Sequence, residues 1–141
     1  MSGSDALAEY CRRKGIPLTV QRRAVLEALR ERRNHPTAEQ LYRDVRERIP
    51  SLSRMTVYRV LSVLIRAGLV SRVNQPGAAE RFEAGRERHH HLVCRRCEKI
   101  VDLEDPRLDN LPLPRVRGFR ALDYSVYVSG VCGRCRERRN R

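Results

Sequence analysis

Four of the five cysteines stand in two C-x-x-C pairs, and this spacing predicts a metal site. Each pair places two thiolates on one tight turn, and two such turns complete a tetrahedral zinc site. Because four thiolates leave no open position, the site would be structural and would tie together the ends of a small domain. A redox dithiol and a disulfide pair are the alternatives, which a reducing compartment disfavours. The paired residues are Cys94, Cys97, Cys132 and Cys135, while Cys11 is interpreted as a small buried apolar residue.

The histidines are the second chemical signal, because three of the four are consecutive and lie just before the first cysteine pair. On a strand, His89 and His91 point to one face and His90 points to the other. Two imidazoles on one face can bind one metal ion, and Glu83 and Asp102 are nearby acids on adjacent elements. These nitrogen and oxygen ligands suit Fe, Mn, Zn or Co better than soft thiophilic metals. A solvated histidine cluster is the alternative interpretation.

The elements that position these residues begin with helices in the first half of the chain. Four helices are predicted, the last three from apolar residues at helical spacing that follow a suitable N-cap. Two short extended runs, 69–73 and 79–83, flank Pro76-Gly77 and predict a β-hairpin. Helices followed by a hairpin are the pattern of a winged helix-turn-helix. The predicted helices cover 6–14, Thr19 to a break at His35-Pro36, a capping box of Thr37 and Gln40 to Pro50, and Ser53 to about Ala67.

The outer face of the fourth predicted helix is basic and polar. Its arginines can reach phosphate or guanine, and its threonine and tyrosine can donate hydrogen bonds. An ordinary solvated helix face is the alternative. The net charge of +13 implies a polyanionic partner, and charge alone admits DNA, RNA, an anionic membrane surface or merely an Arg-rich solvated surface. The candidate DNA-contact residues are Arg54, Thr56, Tyr58, Arg59 and Arg66.

The second half of the chain changes to strand-like alternation. Polar residues 84–88 are predicted as a hinge, strands are predicted over 89–93, 99–103 and 119–128, and one or two helical turns over 105–111. The predicted fold class is α+β, with a winged-helix domain over 1–83 and a small α/β domain over 89–141. No apolar run approaches the roughly 20 residues of a membrane span, and no signal peptide is visible, so a cytoplasmic protein is expected.

Together these motifs resemble the Fur family of ferric-uptake, peroxide-sensing (PerR-like) and zinc-uptake repressors. The similarity extends from about Gly15 to Cys135 and keeps the order of the family's motifs. The matching segments are His35-Pro36-Thr37-Ala38, Thr56-Val57-Tyr58-Arg59-Val60-Leu61, Ala67-Gly68-Leu69-Val70, Arg81-Phe82-Glu83, His89-His90-His91-Leu92-Val93-Cys94, Cys97-Glu98-Lys99-Ile100-Val101-Asp102 and Gly130-Val131-Cys132-Gly133-Arg134-Cys135.

The resemblance implies a homodimeric repressor that binds inverted-repeat operators in double-stranded DNA when Fe(II) or Mn(II) occupies a regulatory site. It would control iron-homeostasis or peroxide-stress genes and would be neither an enzyme nor a binder of a small-molecule substrate. The four paired cysteines would hold structural zinc, and residues 89–141 would form the dimerisation and sensing domain. The regulatory ligands that it implies are His35, Glu83, His89, His91 and Asp102.

The signal that is sensed depends, in this resemblance, on Glu83. Iron sensors more often carry Glu at its position and peroxide sensors Asp, although both share the five-ligand set. Zinc sensors tend to use a cysteine in the regulatory site, and none is free near Glu83, which counts against a zinc sensor. A zinc-uptake repressor is the alternative within the family. A third family site would use His90 and Asp109, but Arg88 and Tyr124 stand where histidines are wanted, so this site is predicted to be absent or weak. The proline-rich stretch 111–114 also departs from the family, which usually has a helix there.

Two other classes of protein fit parts of the pattern. A zinc-ribbon RNA-binding protein would explain the charge and the four cysteines, but it needs no histidine and carboxylate sensor that straddles a hinge. A hydrolytic metal enzyme would use the histidines and carboxylates. Five protein ligands would leave little room for an activated water, so the enzyme class is the weakest.

Overall fold

The computed structural model describes residues 3–73, 77–85 and 89–138, with side chains from residue 6 onward. The chain forms two compact units, an N-terminal unit up to residue 86 and a C-terminal unit from residue 87. Pro76 of the predicted hairpin turn and residues 86–88 of the predicted hinge lie outside the described residues. No helix in the described ranges is long and apolar enough to cross a bilayer.

Four helices build most of the N-terminal unit: α1 (Gly3–Arg13), α2 (Val20–Arg32), α3 (Ala38–Arg48) and α4 (Arg54–Arg66). The three predicted N-caps are confirmed, because each side-chain oxygen accepts a bond from an amide of the first turn. Thr37 and Gln40 form the complete capping box, in which each side chain bonds the other residue's backbone amide. Such local contacts fix where each helix starts.

The core of the N-terminal unit lies between these helices. Val25, Leu41, Val45, Val57 and Leu64 have no measurable exposure, and they recur at helical spacing along α2, α3 and α4. Cys11 is equally buried in the same cluster, which confirms its interpretation as a small apolar residue.

A hairpin completes the unit, with β1 (Val70–Val73) antiparallel to β2 (Arg81–Ala84). It begins directly after α4, where Gly68 takes a left-handed φ of 74° that favours glycine. The second strand starts two residues later than predicted and extends to Ala84, the first residue of the predicted hinge. The pairing of the two strands extends to Gly85, whose amide donates a hydrogen bond to the Leu69 carbonyl at 2.6 Å.

The C-terminal unit is built on a three-stranded sheet with the order β4-β3-β5. The strands are β3 (His90–Cys94), β4 (Ile100–Leu103) and β5 (Tyr127–Gly130). The central strand pairs antiparallel with β4 and parallel with β5, and both registers include His91, which stands opposite Asp102 on one side and Tyr127 on the other. A short helix, α5 (Gly133–Glu137), follows β5.

Two predictions for this unit need correction. The strand predicted over 119–128 is wrong for its first eight residues, because β5 starts at Tyr127, and Leu122 is 74% exposed. The register with β3 explains this: His91 pairs with Tyr127, so residues well before it extend past the start of the central strand and have no ladder to join. The turns predicted over 105–111 reduce to one 3-10 turn, Pro106–Leu108, capped by the Asp105 side chain. The proline-rich stretch 111–114 is not helical, as expected.

Candidate metal centres and recognition helix

The four paired cysteines meet in the C-terminal unit. One pair closes the tight turn after β3, where the Glu98 amide donates to the Cys94 carbonyl at 2.9 Å, and the other flanks the start of α5. All four sulfur atoms lie within 4.8 Å of one another. The Cys97 and Cys132 sulfurs are 3.7 Å apart. Two sulfurs on one tetrahedral zinc ion stand about 3.8 Å apart when each Zn–S bond is ~2.3 Å, so the residues present fit this metal.

The electrostatics of the thiols also suit a metal. The amides of Cys132 and Cys97 hydrogen-bond to the Cys94 sulfur and lower the pKa of this thiol to about 6. The Lys99 amide lowers the pKa of Cys97. In contrast, a hydrogen bond with Cys132, together with burial, raises the pKa of Cys135 to about 12. The cluster without metal therefore keeps part of its protons near neutral pH, and a bound divalent ion would displace them.

The C-terminal unit also holds an imidazole and carboxylate set, on β3 and β4. The register of these strands puts Asp102 opposite His91, and the Asp102 Oδ1 atom is 3.7 Å from His91 Nε2 and 3.3 Å from His89 Nε2. The two imidazole rings stand edge to face, with centroids 4.8 Å apart. His89 and His91 thus share one face, as the strand periodicity predicts. Tyr127 is not among the site residues that the sequence predicts, because only the β3–β5 register brings its ring to stack on His91 at 5.5 Å.

The N-terminal unit holds the other two predicted regulatory ligands as a close pair. His35 Nε2 lies 3.0 Å from Glu83 Oε2, and both side chains are largely buried. The loop after α2 is fixed to β2, because the Phe82 amide donates to the Pro36 carbonyl at 2.9 Å and the Arg81 guanidinium donates to the His35 carbonyl at 2.9 Å. These contacts hold the imidazole against the carboxylate that the hairpin carries.

His90 occupies the opposite face of β3 and is fully buried. Its Nδ1 accepts a bond from the Val126 amide at 3.3 Å, and its Nε2 is 3.3 Å from Asp109 Oδ1. The Tyr124 ring stacks on this imidazole, and its hydroxyl donates to the Leu108 carbonyl and accepts from the Leu111 amide. Among the described residues, His90 belongs to no group of three or more potential metal ligands. Arg88 lies outside these residues.

Helix α4 presents the predicted DNA-contact residues in two different states. Arg59 and Arg66 are exposed, and Tyr58 is 50% exposed. Thr56 is engaged in the cap, because its hydroxyl lies 2.9 Å from the Ser53 hydroxyl. Arg54 is paired with Glu39 of α3, a contact between helices that the sequence does not reveal.

Comparison with known proteins agrees with this arrangement. The protein-family model described as the ferric uptake regulator family matches residues 13–129 of this chain. The chain belongs to the ferric uptake regulator family. Its predicted fold class, a winged helix followed by a small α/β unit with a four-cysteine cluster, is therefore confirmed. Among curated members of the family, the peroxide operon regulator of Bacillus subtilis is 34% identical over 134 residues, which cover 94% of this chain and 92% of that protein.

Two further proteins, one curated and one with a solved structure, match most of this chain. The peroxide-responsive repressor of Staphylococcus epidermidis is 31% identical over 131 residues, covering 92% of this chain and 87% of the relative. The solved ferric uptake regulator of Helicobacter pylori, described as having three functional metal-binding sites, matches with a TM-score of 0.72 at 22% identity. That match covers 94% of this chain and 90% of the regulator's, and at this identity it supports the fold alone. The chain is thus a Fur-family regulator, and its curated relatives include peroxide-responsive regulators.

Proposed function

We propose that this chain is a metal-dependent transcription repressor that binds inverted-repeat operators in double-stranded DNA as a homodimer and controls peroxide-stress genes. The observation that carries the proposal is that the C-terminal unit holds two chemically different sets of ligands. The four-thiolate set is closed and suits permanent structural zinc, whereas the His89, His91 and Asp102 set is made of nitrogen and oxygen ligands. Nitrogen and oxygen ligands suit an exchangeable Fe(II) or Mn(II) ion.

The regulatory ion would be bound by this trio together with His35 and Glu83 of the N-terminal unit. The two sets come from opposite sides of the predicted hinge at 84–88, so an ion bound by both would favour one arrangement of the units. It would shift the population only by its preference for that arrangement, and about 5.5 kcal/mol moves a 1:99 equilibrium to 99:1. The protein's part is to hold the imidazoles and carboxylates at their positions through the β3–β4 register and the loop before α3.

The peroxide assignment rests on the relatives, which are named as peroxide regulators. Control of iron homeostasis is the second candidate, because Glu83 is the residue that iron sensors more often carry in the family resemblance. The two are separated by treating the Fe(II) form with hydrogen peroxide. A peroxide sensor gains one oxygen atom on the peptide of His35 or His89, whereas an unmodified protein favours iron sensing.

Dimerisation is supported by an apolar row on the C-terminal sheet. Leu92 pairs with Val101 on one side and Val128 on the other, and all three side chains are about two-fifths exposed. A cross-strand row of three apolar residues left in water is unfavourable, and a second copy of this chain would cover it. We propose this face as part of the dimer contact.

Operator binding is assigned to α4 and is tested by fluorescence anisotropy with operator DNA and Mn(II). We expect binding to be lost with a chelator and with Asp102→Asn. The matched control is Asp109→Asn, because this aspartate also lies beside a β3 histidine, His90, but outside the proposed ligand set. Specific binding without metal, or equal losses in the two variants, would contradict the proposal.

A further inference from the structure

Arg54 differs from the other arginines of α4 because its guanidinium is already occupied. Its Nε donates to both carboxylate oxygens of Glu39, at 3.0 and 3.3 Å, and its Nη2 donates to one of them at 3.0 Å. The guanidinium carbon also lies 4.6 Å from the centre of the Tyr42 ring, within the range of a cation–π contact. The Arg54 side chain is itself 61% exposed, and Arg59 on the same helix is also exposed but has no such ion pair in the described part of the chain.

Helix α3 supplies both groups that hold Arg54. Glu39 is in its first turn, where a carboxylate is favoured by the helix dipole, and Tyr42 is only 8% exposed, so its ring is fixed by the core. The hydrogen bonds from Arg54 lower the pKa of Glu39, so this carboxylate is ionised at neutral pH. The contacts line a groove of about 400 Å³ between α3 and α4, which Glu47 also lines without an ion pair among the described residues.

The location of the pair matters because Arg54 is the first residue of the proposed recognition helix. The first turn of such a helix lies close to the DNA, where a free guanidinium can bind a backbone phosphate whatever the base sequence. Non-specific affinity is set by the number of phosphates that cationic side chains neutralise. A guanidinium that is shared with a carboxylate adds less to this number.

We propose that Glu39 determines the specificity of DNA binding by holding Arg54 against α3 and so reducing its contribution to non-specific binding of backbone phosphates. This inference rests on the proposed function, in which α4 faces DNA. Glu39 acts through Arg54 and needs no contact with DNA of its own. The exposed arginines, Arg59 and Arg66, remain available to bind.

The size of the effect follows from counterion release. One further neutralised phosphate makes the slope of log K against log[salt] more negative by about 0.9. At ~0.1 M salt, the same relation makes non-specific binding about eightfold tighter. A carboxylate that merely repels DNA from a distance changes affinity without adding a phosphate contact.

The test measures anisotropy of a random-sequence DNA duplex with the full-length, Mn(II)-loaded protein over a range of KCl concentrations. We expect Glu39→Gln to steepen the slope by about 0.9. Glu47→Gln is the charge-matched control in the same groove and should leave the slope unchanged. The double variant Glu39→Gln/Arg54→Gln should return to the wild-type slope, because the released guanidinium is then absent. Far-ultraviolet circular dichroism checks that each variant is folded.

A second comparison needs no change at Glu39. Arg54→Gln should reduce the slope by clearly less than Arg59→Gln, for which we expect a reduction of about 0.9. Equal slopes for Glu39→Gln and Glu47→Gln, weaker binding in Glu39→Gln, or equal losses in Arg54→Gln and Arg59→Gln would each overturn the inference. If Arg59→Gln retains the wild-type slope, the assignment of α4 to DNA fails, which is a different result from failure of the Glu39 inference alone.

Discussion

Gly85 gives the most quantitative prediction, because no side chain fits at this position. A Cβ atom there would lie 2.6 Å from the Gly68 carbonyl oxygen and 2.9 Å from both the carbonyl carbon and oxygen of Leu69. All three atoms belong to the backbone and cannot rotate away as a flexible side chain would. The Gly85 amide also donates to the Leu69 carbonyl, which joins the end of β2 to the start of the hairpin.

The expected cost of Gly85→Ala combines these two effects. Overpacking against fixed atoms costs about 1–3 kcal/mol. Loss of the hydrogen bond that the Gly85 amide donates adds about 0.5–1.5 kcal/mol. We therefore expect a loss of about 1.5–4.5 kcal/mol in the free energy of unfolding of the N-terminal unit. For a unit of this size, each kcal/mol lowers the melting temperature by roughly 4–8 °C, so the decrease should exceed about 6 °C.

Urea unfolding followed by far-ultraviolet circular dichroism measures this cost, because α1 to α4 all belong to the N-terminal unit. Gly77→Ala is the control, since Gly77 has open space around it and a left-handed φ of 80°. Its substitution should cost only roughly 1 kcal/mol, through backbone conformation alone. If Gly85→Ala were no more destabilising than Gly77→Ala, the crowding argument would be refuted.

Three further predictions concern the C-terminal unit. Tyr124→Phe should destabilise it by about 1–2 kcal/mol and speed hydrogen exchange of the Leu111 amide, because two hydrogen bonds are lost while the ring stays; unchanged exchange would contradict this. The hydrogen bonds from Arg107 lower the pKa of Asp105 to about 2. The stabilisation from this ion pair is therefore fully present above the ordinary carboxyl pKa of 3.8 and is lost as the pH falls through about 2. In Arg107→Gln, the midpoint of the NMR titration of the Asp105 carboxyl should move to a higher pH. An unchanged midpoint would argue against the ion pair. Removing metal with a strong chelator should make residues 89–138 sensitive to protease, while the helical circular dichroism signal of the N-terminal unit persists. Continued resistance to protease would show that a metal on the thiolate cluster is not needed to keep the C-terminal unit folded.

The parts of the fold that could be predicted depend on contacts between near neighbours. The caps at Thr19, Thr37 and Ser53 involve residues three positions apart, so the sequence contains the whole interaction. The Cys-x-x-Cys pairs are equally local, and the sulfur cluster followed from their chemistry. The same-face placement of His89 and His91 followed from the period of a strand.

The features that could not be predicted depend on pairings between distant segments. The extent of β5 is set by its parallel register with β3, which no local pattern specifies. The contact of Arg54 with Glu39 joins two helices across 15 positions, and each residue alone resembles an ordinary surface charge. The predicted ligand Glu83 lies beside His35 because the loop before α3 bonds to β2, again a contact between distant segments.

The parallel pairing of β3 with β5 also has a consequence for biosynthesis. Cys97 and Cys132 are separated by 35 positions, so the first cysteine pair is translated well before β5 and α5. The N-terminal unit has a buried core of its own, so it can fold while the C-terminal unit is still being translated. A metal ion can be bound by all four thiolates only after Cys135 has been translated. A newly made chain therefore passes through a stage in which the helical unit can already be folded while the four-thiolate cluster is still incomplete.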